Sequence, residues 1–267
     1  MNGSCMLDFI PDRDPNRQCW MLFKVAPLNR AIDLQKGLLY MNSVDFFSNL
    51  EDEEHVALRR DEIEKTYAVF KSCRKGNIVH ELAVQTSSGE VVLKEGTEIT
   101  LDLPNPKNIM LYCFGSLTDG PNHLIPGEKN GEVWLDDKFK NFGDHVLLIT
   151  SPLEFSKRLN AAIKSHNHLY SSEFFEGGYG QVDYVDMSDH VGQIGLFRKD
   201  LKYAWQREFR ICFGAEKEAL NDNGALELRI GDISDITNIV PIEQFVGHPF
   251  QLKRRTYKKI NGEYVLV

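Results

Sequence analysis

The stretch 203-YAWQREFRICF-213 alternates like a strand. On a period of two, Tyr203, Trp205, Phe209, Ile211 and Phe213 form an apolar face that Arg207 interrupts once. Ala204, Gln206, Glu208, Arg210 and Cys212 form the other face. An amide, a carboxylate and a guanidinium in a row need either water or a site to line. The plain reading is a half-solvated sheet, with Glu208 and Arg210 in cross-strand ion pairs that contribute roughly a few tenths of a kcal/mol each. The sharper reading is a cleft.

Working outward, 20-WMLFKVA-26 reads as a strand and 28-LNRAIDLQK-36 as a short helix. Pro27 suits the helix's first turn and Gly37 its C-terminal cap, after which 38-LLYMNS-43 resumes as a strand. The segment 51-EDEEHVALRRDEIEKTYAVFKSC-73 reads as helical, because its acids lead and its bases follow. Residues 74–104 read as a β-hairpin insertion, and 109-IMLYCFGSL-117 as a central strand. Then come a turn-rich loop at 118–131, a strand at 145–150 and an amphipathic helix over 153–166. Strands at 181–187 and 226–230 follow, and a last hairpin turns at Asn261-Gly262. Residues 1–18 form an irregular lead-in, and 19–267 read as a single α+β domain of many short strands.

The bulk numbers exclude several classes. A net charge of -8 argues against a whole surface built for nucleic acid, and 253-KRRTYKK-259 is the only dense basic run. Five cysteines, odd in number and without a C-x-x-C pair, fit a reducing compartment rather than a disulfide framework. No apolar run approaches the ~20 residues that cross a bilayer, and the first residues carry no secretory pattern. The expected location is the cytoplasm, with no membrane partner. Of the eight histidines only His166 and His168 are close-spaced, without a ligand spacing around them, so no metal is expected.

Gln206-x-Glu208 entering a strand resembles the Q/E-x-E signature of ADP-ribosyltransferases. The layout before it is similar as well. Lys24 lies on the first strand, a short helix and Gly37 follow, and Ser43 ends the second strand. This resemblance implies a split β-core of short mixed and antiparallel strands flanked by helices. It implies NAD as substrate. Glu208 then stabilises the oxocarbenium ion formed as nicotinamide leaves, and Gln206 orients the acceptor. Lys24 and Ser43 hold NAD, in places where the family carries Arg or His and a fuller Ser-Thr-Ser. Tyr40, Phe46 or Tyr179 flank the nicotinamide, and Arg210 orients Glu208. A second resemblance spans roughly residues 20–240. A widespread uncharacterised bacterial family is similar in motif order, here 113-CFGSL-117, then Trp134, Phe139, Gly143 and His145, and finally Lys199, Trp205, Glu208 and Arg210.

The resemblance implies a mono-ADP-ribosyltransferase acting inside its own cell, as a bacterial toxin or phage-defence effector. Its acceptor is RNA, DNA or protein, with a neutralising antitoxin as a further partner. The alternative is an inactive binding or sensor module of the same fold. Lys24 then is an edge-strand charge and Ser43 a helix N-cap. A nucleic-acid hydrolase ranks last, since no spaced acidic metal cluster stands out.

Overall fold

The longest strand, Ile109–Thr118, organises a sheet of nine antiparallel strands. In the computed structural model the described residues are 19–50, 63–75, 77–120, 124–188, 190–251, 257–260 and 263–266. The sheet strands are β1 (Cys19–Ala26), β2 (Leu38–Ser43), β3 (Ile109–Thr118), β4 (His145–Ile149), β5 (Leu169–Tyr170), β6 (Tyr179–Gln181), β7 (Glu208–Ala215), β8 (Leu226–Arg229) and β9 (Thr237–Pro241). Their spatial order is β5-β7-β3-β1-β4-β9. Strand β6 shares the outer edge of β7 with β5, and β8 continues from β2. Three helices complete the frame: α1 (Leu28–Gln35), α2 (Val44–Ser48) and α3 (Pro152–Ser165). The class is α+β, as expected from sequence, and among the described residues no helix is long and apolar enough to cross a membrane.

One edge of β3 is shared, and this positions everything that follows. Its C-terminal half pairs with β1, ending at Phe23 opposite Gly115. Its N-terminal half pairs with β2, through Asn42 opposite Leu111 and Ser43 opposite Met110. Between them Tyr112, Cys113 and Phe114 have a partner strand only on the β7 side, and β1 and β2 diverge. The turn that separates β1 from β2 is fixed by Gly37. Its φ of +88° is costly for an L side chain, and a Cβ there would lie 2.0 Å from the Gly231 carbonyl oxygen.

Strand alternation distributes the core over both faces. Leu22, Met110, Tyr112, Phe114, Leu147, Ile149, Ile211 and Phe213 pack with Ala31 and Leu34 of α1 and with Phe155, Leu159 and Ile163 of α3. On the opposite face two separate clusters form, one around Phe23, Leu117, Phe139 and Phe245, the other around Val44, Leu111, Phe197 and Cys212. Pro152 at the first turn and the Ser151 hydroxyl accepting from Glu154 N start α3 as the sequence suggests.

Two expectations are overturned. Strand β7 begins at Glu208, not at Tyr203. Leu201–Gln206 coil into a 3-10 helix, and Arg207 takes a left-handed conformation at φ 46°. The apolar face expected from Tyr203 onward therefore holds only from Phe209. The helical reading of 51–73 fails at its end as well. Thr66–Lys71 is a strand, paired with Glu98–Asp102 and Gly192–Gln193; the run Thr-Tyr-Ala-Val-Phe outweighs the charge gradient that suggested a helix. Positions 51–62 lie outside the described residues. Within the expected insertion, Ala83–Thr86 and Gly89–Val92 form an exposed hairpin.

At Gly115 the ring of Phe23 from β1 packs against the backbone of β3. A Cβ on it would lie 2.2 Å from Cζ of Phe23, whose ring is edge-packed against Phe139 at 5.4 Å and Phe245 at 5.3 Å. The ring has no room to withdraw. Gly115→Ala is expected to lower stability by about 1–3 kcal/mol through overpacking. Combining it with Phe23→Leu should cost less than the two single losses together. Urea unfolding of the four proteins checks this; strictly additive losses would mean the two residues do not compete for the same space.

Candidate functional site

Where β1 and β2 part, a cleft of about 720 Å³ opens. Its floor lies on the sheet face that carries the two separate apolar clusters, at the point between them. There the outward positions of β3 and β7 hold Cys113, Gly115, Glu208 and Arg210 in place of large apolar side chains. Lys24, Tyr40, Phe46, Gln206, Glu208 and Arg210, all singled out from sequence, line this cleft. Ser43 does not; its hydroxyl accepts from Phe46 N at 3.1 Å and caps α2, the alternative role the sequence offered. Tyr179 also lies elsewhere, in the core below α3, with its hydroxyl bonded to Ser156.

The polar stripe is buried, and its ion pairs run to Lys199, to Glu64 and within the stripe rather than to a charge on a neighbouring sheet strand. Glu208 is 4 % exposed, Arg210 2 % and Gln206 8 %. Arg210 Nε donates to Glu208 Oε1 at 2.6 Å, and Arg210 Nη1 donates to the Leu196 carbonyl at 2.6 Å. The same guanidinium holds Glu64, with Nη1 at 2.6 Å from Oε1 and Nη2 donating to Oε2 at 3.1 Å. Lys199 closes the network, donating to Glu208 Oε2 at 2.9 Å and to Gln206 Oε1 at 3.1 Å. Gln206 thus reaches Glu208 through Lys199. The left-handed Arg207 turns the chain between them, rather than a shared strand face aligning them. Arg207 is itself anchored, donating from Nη2 to the Pro126 carbonyl.

The network has electrostatic consequences. Burial alone would raise the Glu208 carboxyl, but Arg210 first and Lys199 next hold it well below the ordinary glutamate range, helped by a hydrogen bond from the Cys113 thiol. Burial pushes that thiol far up, and Glu208 pushes it further, so Cys113 stays protonated and inert. Burial and Glu208 likewise raise Tyr184, whose hydroxyl accepts from Glu208 N at 2.8 Å. Lys24 sits at the split itself. Its Nζ donates at 2.6 Å to the carbonyl of Cys113, in the part of β3 without a β1 or β2 partner, and lies 4.6 Å from the Tyr112 ring centre.

Because the folded Glu208 carboxyl is more acidic than the unfolded one, its contribution to stability is complete above the ordinary value of 4.5 and is lost as pH falls below it. Urea midpoints measured from about pH 6 down to about pH 2.5 should therefore drop, and Glu208→Gln should flatten that drop. A slope unchanged by the substitution would assign the acid sensitivity to other groups.

Lys199, Glu64 and Cys113 belong to the site without having been expected there. Lys199 carried a signal, the spacing from Lys199 through Trp205 to Glu208 and Arg210. Glu64 carried none, because it joins Arg210 from 146 positions away. The lining also includes Arg30, Asp33, Lys140 and the ring of Phe142. Its charged residues are Lys24, Arg30, Lys140, Lys199 and Arg210 against Asp33, Glu64 and Glu208, a net +2 within a chain of net -8.

Far from the cleft, His168 gathers with Glu216 and Glu218 at the surface, its Nδ1 2.9 Å from Glu216 Oε2; all three are exposed. Most of the basic run 253–259 lies outside the described residues. No family model, no curated protein and no solved structure matches this chain.

Proposed function

We propose that the cleft binds NAD and that the protein transfers ADP-ribose from it, with Glu208 as the catalytic carboxylate. The observation that carries this reading is the meeting of Lys24, Tyr40, Phe46, Gln206, Glu208 and Arg210 in one cleft whose charged lining is net positive. A dinucleotide asks for such a mixture. Its phosphates need cations, its rings need aromatic surface, and its ribose hydroxyls need an acceptor. In the reaction the bond between the ribose carbon and the nicotinamide nitrogen breaks, and its electron pair leaves with nicotinamide. The acceptor's nucleophile bonds to that carbon and releases its proton to water. Positive charge develops on the sugar as the bond lengthens, and a fixed carboxylate is the group that stabilises it. The divergence of β1 and β2 from β3 supports the split-core, ADP-ribosyltransferase-like form of the fold.

A second reading is a binding module without turnover. What favours it is that each Glu208 oxygen already accepts from a cation, Lys199 or Arg210, which weakens its field at the ligand. Labelled NAD incubated with the protein and with RNA, DNA or lysate protein separates the two. The transferase reading expects label in one acceptor class, its loss in Glu208→Gln, and growth arrest on expression that the same substitution abolishes. Equal label from both proteins, or none with any acceptor class, overturns it.

A further inference from the structure

Among the described residues Lys199 is the only buried lysine, 5 % exposed. It lies on the short strand Arg198–Asp200, which runs parallel to Asp183–Val185 and leads into the 3-10 turn ending at Gln206. This path folds the chain back so that one ammonium touches both proposed functional side chains. Its Nζ lies over the Tyr203 ring, 5.0 Å from the ring centre. An ammonium has donors and no acceptor. The Gln206 amide must therefore turn its oxygen toward Lys199, and its NH2, on the other arm of the same planar group, is directed away as a donor. Glu208, ionised, can only accept.

We propose that Lys199 sets the hydrogen-bonding polarity of the cleft: it makes Gln206 a donor and Glu208 an acceptor toward the bound molecule. The ligand that fits brings an acceptor oxygen, of a carbonyl or a phosphate, to Gln206 and a sugar hydroxyl to Glu208. Gln206 is then no base and no acceptor of the nucleophile's proton; it places the ligand by donating to it. Lys199 is a positioning residue, acting through the other two. For the identity of the ligand this rests on the NAD reading; the polarity itself rests on the geometry.

The charges facing Glu208 are those of Lys199 from the preceding segment and Arg210 from its own strand. Cys113 of β3 and Tyr184 of the Asp183–Val185 strand face it as neutral groups, with Glu64 behind Arg210. Removing the Lys199 charge leaves Arg210 as the one cation in contact with Glu208. The Glu208 carboxyl should then titrate at higher pH.

Three variants test this with carbon-13-labelled glutamate for NMR and NAD for calorimetry. In Lys199→Gln the Glu208 carboxyl is expected to titrate about one pH unit higher than in the wild type, and NAD to bind at least about tenfold more weakly. Lys199→Arg, which keeps the charge, should hold the wild-type midpoint and bind NAD within a few-fold. Gln206→Glu removes the donor while leaving Lys199 in place, and should also weaken NAD about tenfold or more. An unmoved midpoint in Lys199→Gln, or undiminished NAD binding by Gln206→Glu, overturns the proposal. A purely packing role for Lys199 would leave the midpoint unmoved. Should the wild type bind no NAD, the NAD reading falls, and the carboxyl titration alone judges Lys199. Should Lys199→Gln fail to fold, Lys199→Arg and Gln206→Glu still decide it.

Discussion

Arg210→Met is expected to lower the unfolding free energy by about 3–5 kcal/mol at neutral pH. Methionine fills much of the volume, so the loss is electrostatic. Arg210 is 2 % exposed and holds two carboxylates that are themselves buried, Glu208 at 4 % and Glu64 at 5 %. It also donates to the Leu196 carbonyl. Without it Glu208 keeps Lys199, but Glu64 loses the guanidinium it pairs with in a place where an isolated charge is heavily penalised. The sign with pH follows. In the variant both carboxyls bind protons more readily, so protonation relieves the folded state, and the deficit against wild type should narrow as pH falls from about 7 to about 4. Adding Glu64→Gln should restore part of the loss at neutral pH by removing the orphaned charge. Urea unfolding of the three proteins at the two pH values checks it. A neutral-pH loss below about 1 kcal/mol would mean the carboxylates find water or another cation instead.

Much of the frame was legible in sequence. Helix α1 showed itself by Leu28, Ala31 and Ile32 at helical spacing between Pro27 and Gly37, and α3 by Ser151-Pro152 before an amphipathic run. The centrality of β3 followed from its nearly continuous apolar character, since a strand covered on both faces has no polar alternation. What sequence could not supply is the conformation at Arg207. Nothing in the string Gln-Arg-Glu marks a residue for a left-handed turn, so the period of two was carried back past Glu208, through Gln206 to Tyr203. The pairing of Gln206 with Glu208 survives for another reason, because Lys199 bridges them. Long-range partners were hidden for a related cause. Glu64 belongs to a stretch whose charge gradient argued for a helix, and its role depends on the chain returning to Arg210 from far away. Ser43 shows the reverse. Its local role as an N-cap is written in the sequence just ahead of Val44–Ser48, and that role is the one it plays.

In Glu208→Gln, ADP-ribose transfer is expected to fall by roughly a hundred- to a thousandfold while NAD affinity changes by less than about fivefold. The asymmetry is what distinguishes catalysis from binding. In the ground state the nicotinamide ribose is uncharged, and its hydroxyls can donate to or accept from an amide as readily as they donate to a carboxylate. In the transition state that sugar carries positive charge, and only the carboxylate answers it. Glutamine rather than alanine is the informative choice, because it keeps an oxygen near Lys199 and Arg210 and leaves no cavity between two buried cations. The expected result is therefore a fall in kcat with KM for NAD nearly unchanged. Single-turnover transfer from labelled NAD, alongside calorimetry on the same samples, gives both numbers. If NAD affinity and transfer fall together, Glu208 serves ground-state binding. If NAD binds equally to both proteins and neither transfers it to any acceptor, the cleft holds the dinucleotide without turning it over. The Lys199 and Arg210 contacts that keep Glu208 ionised would then be what quenches it.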